Sequence, residues 1–246
     1  MIEKNLEQDK LLTLESPEIL KIKSDWDEVI KEITLKLGCE TEIPEPYDLE
    51  RATIPKIESQ RKDYGFIMIS APSGGGKGTI GKSLENKGIE KLPRYTTREF
   101  RTGEVDGKDY FFISDEKFEE MNQSDEFLPN VETHGKRRAT SKKMLKEWVD
   151  KKKQFYVEGS TGAYDQIINT AEVKEAKPLS IFLLPPSFEE HFNRLTNRPD
   201  TISREEIIER LKKAVEHLKQ TLTSDYSGYI VNDNIERVTN LIIENY

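Results

Sequence analysis

Short runs of consecutive apolar residues alternate along the chain with stretches whose apolar residues recur every three or four positions. The short runs are typical of strands buried on both faces, whereas the second spacing places apolar side chains along one face of a helix. Strands that alternate with helices predict an α/β fold with a parallel central sheet. The predicted strands are 66–69, 110–114, 155–157, 179–184 and 228–231.

Two amphipathic helices are predicted, one near each end of the chain. Residues 203–223 place apolar side chains on one face and charges elsewhere, which is the pattern of a helix that packs on a core. Near the N-terminus, Ser24 and Asp27 resemble a capping box at the start of a second helix that ends before Gly38. The apolar residues of this second helix, which need a partner surface, are Trp26, Val29, Ile30, Ile33 and Leu37.

Residues 1–62 are predicted to be an acidic extension in front of a main domain that starts near Asp63. A Pro/Glu-rich stretch at 41–46 is typical of a linker. Residues 1–50 contain 14 acidic and 6 basic side chains, which accounts for the whole net charge of −8. Because the extension carries no identifiable chemistry, we expect its helix to dock on the main domain or on a second copy of the chain, as in a homodimer.

The first predicted strand leads into a glycine-rich segment at 70–79, S-A-P-S-G-G-G-K-G-T. Glycines let the backbone curl so that several N–H groups point inward, the following helix presents its positive end, and Lys77 adds a mobile cation. The segment therefore predicts a site for the phosphates of a nucleoside triphosphate. It departs twice from the pattern G-x-x-x-x-G-K-[ST], with Ala71 at the first glycine and Gly78 at the hydroxyl residue. Thr79 is the candidate for that hydroxyl.

The composition is typical of a globular protein. Hydrophobic residues make up 35% and charged residues 34% of the chain, and no apolar run approaches the ~20 residues that a membrane span needs. Cys39 is the single cysteine, which excludes an internal disulfide and favours a reducing, cytoplasmic setting. Basic clusters at 91–101 and 136–143 suit a small phosphorylated ligand, while the acidic balance disfavours a nucleic acid polymer as partner.

Four further motifs follow the glycine-rich loop in a fixed order. They are Y-T-T-R-E-F-R at 95–101, G-E-V-D-G-K-D-Y-F-F at 103–112, F-L-L-P-P-S at 182–187 and I-V-N-D at 230–233. In this order the chain resembles guanylate kinases. The resemblance implies a P-loop three-layer fold over 63–246, with a central parallel sheet, a small mixed acceptor-binding subdomain at about 94–150 and a helical lid at about 194–210.

The resemblance also implies the reaction and its ligands. The γ-phosphate of ATP, with Mg²⁺, would pass to a small phosphorylated acceptor, a nucleoside monophosphate, of which GMP and dGMP are the first candidates. Such a transfer depends mainly on positioning and on neutralising phosphate oxygens, so the protein needs cations on both sides of the transferred group.

On the donor side the resemblance implies two sets of residues. Lys77 would bind the terminal phosphates of ATP, Thr79 is the candidate magnesium ligand, and Asn232 stands at the position that contacts adenine. The lid arginines, which would close over the donor and stabilise charge on the group in flight, are Arg194, Arg198 and Arg210. The residues that would cradle the ATP phosphates are Ser73, Gly74, Gly75, Gly76, Lys77, Gly78 and Thr79.

On the acceptor side the resemblance points to the small subdomain. Arg98 and Arg101 would grip the acceptor's phosphate with bidentate contacts, and the phenol of Tyr110 would add a hydrogen bond. Arg94 and Arg138 stand where the family has a serine and a tyrosine. These two guanidiniums suggest an acceptor with more negative charge, or one gripped by its phosphate because its base is read weakly.

The residues that read guanine in the family are only partly kept. The position of the family's glutamate falls on Pro129, whose side chain offers no acceptor to the N–H groups of guanine. Thr140 keeps a hydroxyl, and the position of the family's aspartate falls on Glu158 or Gly159, depending on where one gap is placed. Glu158 is still able to accept from guanine or to help orient Mg²⁺. We expect the loss of the other groups to relax or redirect the choice of base.

Other interpretations stay open at the level of sequence. V-E-G-S at 157–160 is similar to a segment of ribose bisphosphate phosphokinases, which makes ribose 1,5-bisphosphate an alternative acceptor beside a non-guanine nucleotide. Inactive guanylate-kinase-like modules bind phosphopeptides, but they characteristically lose the loop lysine and lid arginines that this chain keeps. Arg194 and Arg210 also fit helix-surface cations paired with Glu190 and Glu206. The three histidines are too scattered in sequence to predict a metal site.

Overall fold

A parallel sheet of five strands forms the centre of the molecule. The structure is a computed structural model that describes residues 12–37, 64–101, 103–133, 136–159, 161–197 and 203–246. The strands are β1 (Phe66–Ser70), β2 (Glu90–Lys91), β7 (Phe155–Glu158), β8 (Pro178–Leu184) and β9 (Gly228–Val231). They follow the order β2-β7-β1-β8-β9 and pair in parallel, as the alternation of strands and helices predicts. The predicted strand at 110–114 is not one of them, and β2, which has no apolar run, was not predicted.

The register of the sheet brings the ends of two strands together. All five residues of β1 are buried, which is expected of a central strand covered on both faces. Ile69 of β1 lies opposite Glu158 of β7 on one side and opposite Ile181 of β8 on the other. The glycine-rich loop and the end of β7 therefore leave the sheet at the same edge.

A second, mixed sheet of four strands lies in the predicted acceptor-binding subdomain. Its strands are β3 (Arg94–Thr96), β4 (Tyr110–Phe112), β5 (Val131–Thr133) and β6 (Lys136–Ala139). Their order is β4-β3-β6-β5, with β3 and β4 parallel and the other pairs antiparallel. A separate small core of Phe118, Met121, Phe127 and Ala139 supports this sheet. The P-loop α/β fold with a smaller mixed subdomain is confirmed.

Helices cover the sheets, and several of them begin at residues suited to cap them. They are α1 (Pro17–Lys36), α2 (Lys77–Asn86), α3 (Asp115–Gln123), α4 (Lys142–Asp150), α5 (Tyr164–Ile168), α6 (Ala171–Ala176), α7 (Phe188–Thr196), α8 (Arg204–Thr221) and α9 (Ile235–Asn245). The side chains of Ser187 and Ser203 accept hydrogen bonds from the first turns of α7 and α8, which satisfies N–H groups that have no partner within the helix. None of the described helices is long and apolar enough to cross a membrane.

The predicted start of the N-terminal helix is wrong. α1 begins at Pro17, after Ser16, and Ser24 and Asp27 lie inside it. Proline is well suited to the first position of a helix because its missing N–H group would have no partner there. The apolar face also starts earlier than predicted, since Ile19 and Ile22 are buried. The capping-box pattern was therefore misleading.

α1 packs on the rest of the molecule and shares its main core. The buried residues of its apolar face belong to the same hydrophobic cluster as β1 and β8, and the helix contacts α7 and α8. Of the two expected docking surfaces, the main domain is the one it occupies. The linker at 41–46, Cys39, the domain start near Asp63 and Arg198 lie outside the described residues, and the homodimer stays a prediction.

Candidate active site

The glycine-rich loop joins the end of β1 to the start of α2. Gly74 and Gly76 have φ angles of 82° and 90°, in the left-handed region that glycine adopts without strain. A Cβ atom on Gly76 would also collide with the side-chain amide of Asn232. The turn thus requires glycine at two of the predicted cradle positions, and it delivers the chain to the N-terminus of α2, where N–H groups have no partner within the helix.

Two predicted cations approach the loop from different elements. Nζ of Lys77 donates to the carbonyl oxygen of Ala71 at 2.5 Å, which holds the ammonium over the loop. From α8, Nη1 of Arg210 donates to the hydroxyl of Ser73 at 3.2 Å, and Nη2 of the same side chain pairs with Glu206 at 2.5 Å. The helix-surface pairing of Arg210 and its contact with the loop therefore occur together.

Arg194 and Asn232 connect the lid region to the loop. Nε of Arg194 donates to Glu190 at 2.8 Å, and its Nη2 donates to the backbone carbonyl of Asn232 at 3.0 Å. The buried amide of Asn232 in turn donates to the carbonyl of Gly75 at 2.9 Å. Because this amide is engaged by the loop, the adenine contact of Asn232 stays a prediction.

The first turn of α2 offers the candidate magnesium ligand. Gly78 and Thr79 are both exposed, and a side chain on Gly78 would meet nothing within 4 Å. Within the described residues, no group of three His, Cys, Asp or Glu side chains is arranged to hold a metal ion. Without such a group, a Mg²⁺ ion here would keep several waters and be bound mainly by the phosphates of ATP, and Thr79 stays its predicted protein ligand.

A charged cluster surrounds Glu158, the last residue of β7. Its carboxylate pairs with Nζ of Lys91 at 3.2 Å and accepts a hydrogen bond from the phenol of Tyr110 at 3.2 Å. Nζ of Lys91 also lies 4.7 Å from the centroid of the Tyr110 ring. The side chains of Lys91 and Glu158 are only 13% and 14% exposed, so this is a largely buried ion pair.

The charges of the cluster keep Glu158 ionised. Burial would raise the pKa of Glu158, but the positive charges of Lys91, Lys77 and Arg94 lower it below its usual range. Conversely, burial would lower the pKa of Lys91, but the Glu158 carboxylate raises it. The cluster also lies beside the end of β1 that leads into the loop, since Ile69 is opposite Glu158 in the sheet.

Arg94 joins the two sheets. Its guanidinium is buried and donates from Nη1 to the carbonyl of Glu158 at 2.8 Å and from Nη2 to the carbonyl of Arg138 at 3.1 Å. Its Nε finds no hydrogen-bond partner among the described residues. Arg94 is thus no surface cation, and it fastens β3 and β6 to the end of β7.

Arg98 lies beside Tyr110, and Arg101 lies on the exposed loop that follows β3. Both guanidinium nitrogens of Arg98 bond to the carboxylate of Glu104, at 2.9 and 2.5 Å, and the guanidinium carbon lies 5.2 Å from the centroid of the Tyr110 ring. Glu104 also accepts from the backbone N–H of Arg101 at 2.8 Å. Burial would raise the pKa of Glu104, but the hydrogen bond from Arg98 lowers it. A carboxylate occupies the fork of Arg98 that is expected to bind phosphate.

The three positions expected to contact the acceptor's base line one small pocket. Pro129, Thr140 and Glu158 share this pocket with Arg94, and apolar side chains such as Leu128 and Val157 close it. Among the lining residues, the hydroxyl of Thr140 and the guanidinium of Arg94 are donors, and the carboxylate of Glu158 is engaged by Lys91 and Tyr110. The pocket walls thus lack an uncommitted carboxylate.

Sequence reasoning missed three residues of this region. Lys91 lies in a predicted basic cluster, but its pairing with Glu158 depends on the contact between β2 and β7. Glu104 lies within the motif at 103–112, but its pairing with Arg98 was missed because an acidic residue is not expected at a phosphate site. His191 received no role, yet its Nε2 lies 2.6 Å from the carbonyl oxygen of Ser73; these residues are 118 positions apart, and no local pattern signals the contact.

A glycine-rich loop between a central parallel strand and a helix, with a lysine and arginines around it, defines a P-loop nucleotide-binding protein. The family model for guanylate kinase matches residues 64–244. The chain belongs to the guanylate kinase family, whose members are nucleoside monophosphate kinases. The match starts after α1.

Individual proteins show the same similarity. A guanylate kinase of Caldanaerobacter subterraneus is 38% identical over 188 residues, covering 75% of this chain and 87% of the relative. A guanylate kinase of Clostridioides difficile is 39% identical over 175 residues, covering 70% of this chain and 81% of the relative. The crystal structure of guanylate kinase from Anaplasma phagocytophilum superposes with a TM-score of 0.57 at 28% identity, covering 74% of this chain and 84% of that chain.

Proposed function

We propose that this protein transfers the γ-phosphate of ATP to GMP or dGMP. The proposal depends mainly on one observation: Glu158, whose carbonyl accepts a hydrogen bond from Arg94 of the small sheet at 2.8 Å, lies opposite Ile69 at the end of β1, just before the loop. A donor bound at the loop and an acceptor bound at the small sheet would then meet beside this residue. The names of the relatives support the same reaction.

The donor-side residues would act by positioning and by neutralising charge. Lys77 would exchange the carbonyl of Ala71 for the terminal phosphates of ATP, and Arg194 and Arg210 would approach the transferred group as the lid closes. Mg²⁺, bound to the phosphates with the hydroxyl of Thr79, would supply further neutralisation of charge. Arg198 is proposed for the lid by its sequence position alone.

The acceptor-side residues would hold the phosphate of the monophosphate in place. The fork of Arg98 would exchange the carboxylate of Glu104 for that phosphate, since both present oxygens at similar spacing. The phenol of Tyr110 lies beside the guanidinium of Arg98 and would add a hydrogen bond. Arg101 would complete the grip from the exposed loop, and Arg138 would add charge.

We further propose that base selection is weak. A carboxylate that accepts from both N1–H and the 2-amino group of guanine would reject IMP, which lacks the amino group. In the pocket, Pro129 offers no acceptor and Glu158 is engaged by Lys91 and Tyr110, whereas the hydroxyl of Thr140 and the Nε–H of Arg94 are suited to donate to a carbonyl oxygen. Both GMP and IMP carry such an oxygen, so we expect kcat/KM for IMP within about tenfold of that for GMP.

An acceptor panel assayed for ADP release tests both parts of the proposal. It contains GMP, dGMP, IMP, AMP, CMP and UMP together with ribose 1,5-bisphosphate. Turnover of GMP, dGMP and IMP at similar rates is the expected result. A preference for GMP over IMP above about 100-fold would refute weak base selection and leave the kinase assignment intact. ADP release only with ribose 1,5-bisphosphate would favour the alternative acceptor, and none with any acceptor would refute the proposed reaction.

A further inference from the structure

α1 lies outside the region matched by the family model, yet it packs against a residue of α7 that contacts the glycine-rich loop. Trp26 of α1 packs against His191 of α7 with 5.0 Å between ring centroids, and both side chains are completely buried. Nε2 of His191 lies 2.6 Å from the carbonyl oxygen of Ser73 within the loop. One chain of contacts thus leads from the N-terminal helix to the donor site.

The chemistry of the contact fixes the state of His191. A carbonyl oxygen accepts but cannot donate, so Nε2 carries the hydrogen. Burial lowers the pKa of His191 to about 4, although the bond to Ser73 raises it and Arg194 lowers it further; the ring is therefore neutral at physiological pH. The side chain acts as a neutral donor of fixed geometry.

His191 also fills the space beneath the loop. A Cβ atom on Gly74 would lie 3.1 Å from the His191 ring and 2.9 Å from a methyl carbon of Leu195, so the ring lies close under the left-handed turn of the loop. Nδ1 of His191 and Nε1 of Trp26 find no hydrogen-bond partner among the described residues. The contact between the two rings is therefore one of packing, and its effect on the loop passes through Nε2.

Polar contacts fasten α1 along its length. Nζ of Lys36, the last residue of α1, donates to the carbonyl of Thr221 at the end of α8 at 2.8 Å and to that of Ser224 just after it at 3.0 Å. In its first turn, Glu18 pairs with Arg204 at 2.9 Å. The helix is thus held against α8, which carries Arg210, and against α7, which carries His191 and Arg194.

We propose that α1 is a positioning element of the donor site, in which Trp26 holds the ring of His191 and His191 holds the loop through the carbonyl of Ser73. Neither side chain touches the transferred group, so both are positioning residues. The inference rests on the proposed binding of ATP at the loop and is independent of the identity of the acceptor.

The first test separates the hydrogen bond from the volume of the ring. His191→Leu removes the donor, whereas His191→Gln keeps an N–H donor near the position of Nε2. We expect the leucine variant to raise KM for ATP about tenfold or more, because a loop displaced by a fraction of an ångström loses phosphate contacts. KM for GMP should change less than about threefold, and the glutamine variant should recover most of the loss.

The second test reads the same connection from α1. The chain has two tryptophans, Trp26 and Trp148, and Trp148 packs on Phe155 and Lys153 away from the loop. In a Trp148→Phe background, titration with ATP should change the fluorescence emission of Trp26. The ATP concentration at half of this change should equal the Kd measured by calorimetry. GMP alone should leave the emission unchanged. In the double variant Trp148→Phe/His191→Leu, the same titration should give a smaller change in the emission of Trp26.

The outcomes decide between a positioning and a merely structural role. ATP binding with no response from Trp26, or equal rises of both KM values in His191→Leu, would overturn the inference while the proposed function stands. A Trp26 response to ATP with no acceptor phosphorylated would support the inference while the proposed function fails. If His191→Leu does not fold, the glutamine variant and the Trp26 titration still decide.

Discussion

The donor and acceptor sides of the cleft hold their cations in different ways. At the loop, Lys77 donates to a backbone carbonyl, and Arg194 also donates to one. On the acceptor side, Arg98 and Lys91 pair with the carboxylates of Glu104 and Glu158. Lys77 thus contacts a neutral dipole, whereas Arg98 and Lys91 contact full negative charges.

The phosphates of the two ligands would therefore displace different partners from these cations. A phosphate that replaces a carbonyl gains a charge-assisted bond, whereas a phosphate that replaces a carboxylate exchanges one such bond for another. Affinity is therefore expected to come mainly from the donor side. Selectivity is expected to depend on how the acceptor competes with Glu104 for Arg98. Four measurements test these expectations.

Lys77→Ala is expected to have the largest effect. Removing the cation over the loop should lower kcat by about 1,000-fold or more, roughly 4 kcal/mol of transition-state stabilisation, because Lys77 is the cation held at the loop itself, where the phosphates of ATP would bind. ADP release measures the loss, and circular dichroism should show an intact fold. Lys82→Ala, at an exposed position of the same helix, is the matched control, and unchanged activity in Lys77→Ala would reject the kinase assignment.

Glu158→Gln tests the ion pair between the two sides. The substitution leaves Lys91 largely buried without its charged partner, so the free energy of unfolding should fall by about 3 kcal/mol. Urea denaturation at pH 7 measures it. The control is Glu90→Gln, whose more exposed pair with Lys153 should contribute less than about 0.5 kcal/mol. Equal losses in the two variants would contradict the buried pair.

Arg98→Ala tests the acceptor side alone. KM for GMP should rise about 30-fold, close to 2 kcal/mol, while KM for ATP stays within about twofold. Steady-state kinetics with each substrate varied in turn measures the split. Arg137→Ala, at a position whose guanidinium pairs with Asp115 and Glu119, removes the same charge elsewhere on the small sheet. Equal rises of both KM values would show that Arg98 serves the fold and not the acceptor.

The smallest effect concerns the dependence of stability on pH. The pKa of His191 falls from 6.5 to about 4 on burial, so the unfolded chain takes up a proton that the folded chain refuses. Stability is therefore complete above about pH 6.5 and is lost progressively towards pH 4. Between pH 7.5 and 5.5 the contribution of His191 should fall by about 1 kcal/mol. The His191→Gln variant should lack this decrease. If the free energy of unfolding depends on pH equally in the variant and in the unsubstituted protein, the prediction is contradicted.

Much of the fold was predictable because it depends on local patterns. Short apolar runs predicted β1, β7, β8 and β9 but not β2, whose two residues are charged, and the spacing within 203–223 predicted α8, whose N-cap Ser203 lies at the predicted start. The glycine-rich loop was predictable because Gly74 and Gly76 adopt angles that other residues rarely adopt. The start of α1 was predicted wrongly, because a pattern inside the helix imitated a cap.

The candidate site was predictable only where the residues of one motif fold together locally. The placement of Lys77 and Arg98 follows from motifs that fold locally. The bond between His191 and Ser73 and the pair of Lys91 with Glu158 join residues that are far apart in sequence, and they depend on packing between elements. The site roles of the arginines, of Thr140 and of Asn232 stay predictions for the kinetics to test.

Arg94 has a mechanical consequence. Since its guanidinium bonds to carbonyls of both sheets, the small sheet is tethered at this point and cannot slide as a free body. If the small sheet approaches the loop, we expect it to rotate about this side chain, with larger displacements around residue 103 than beside β7. Shortening Arg94 would then loosen the pivot.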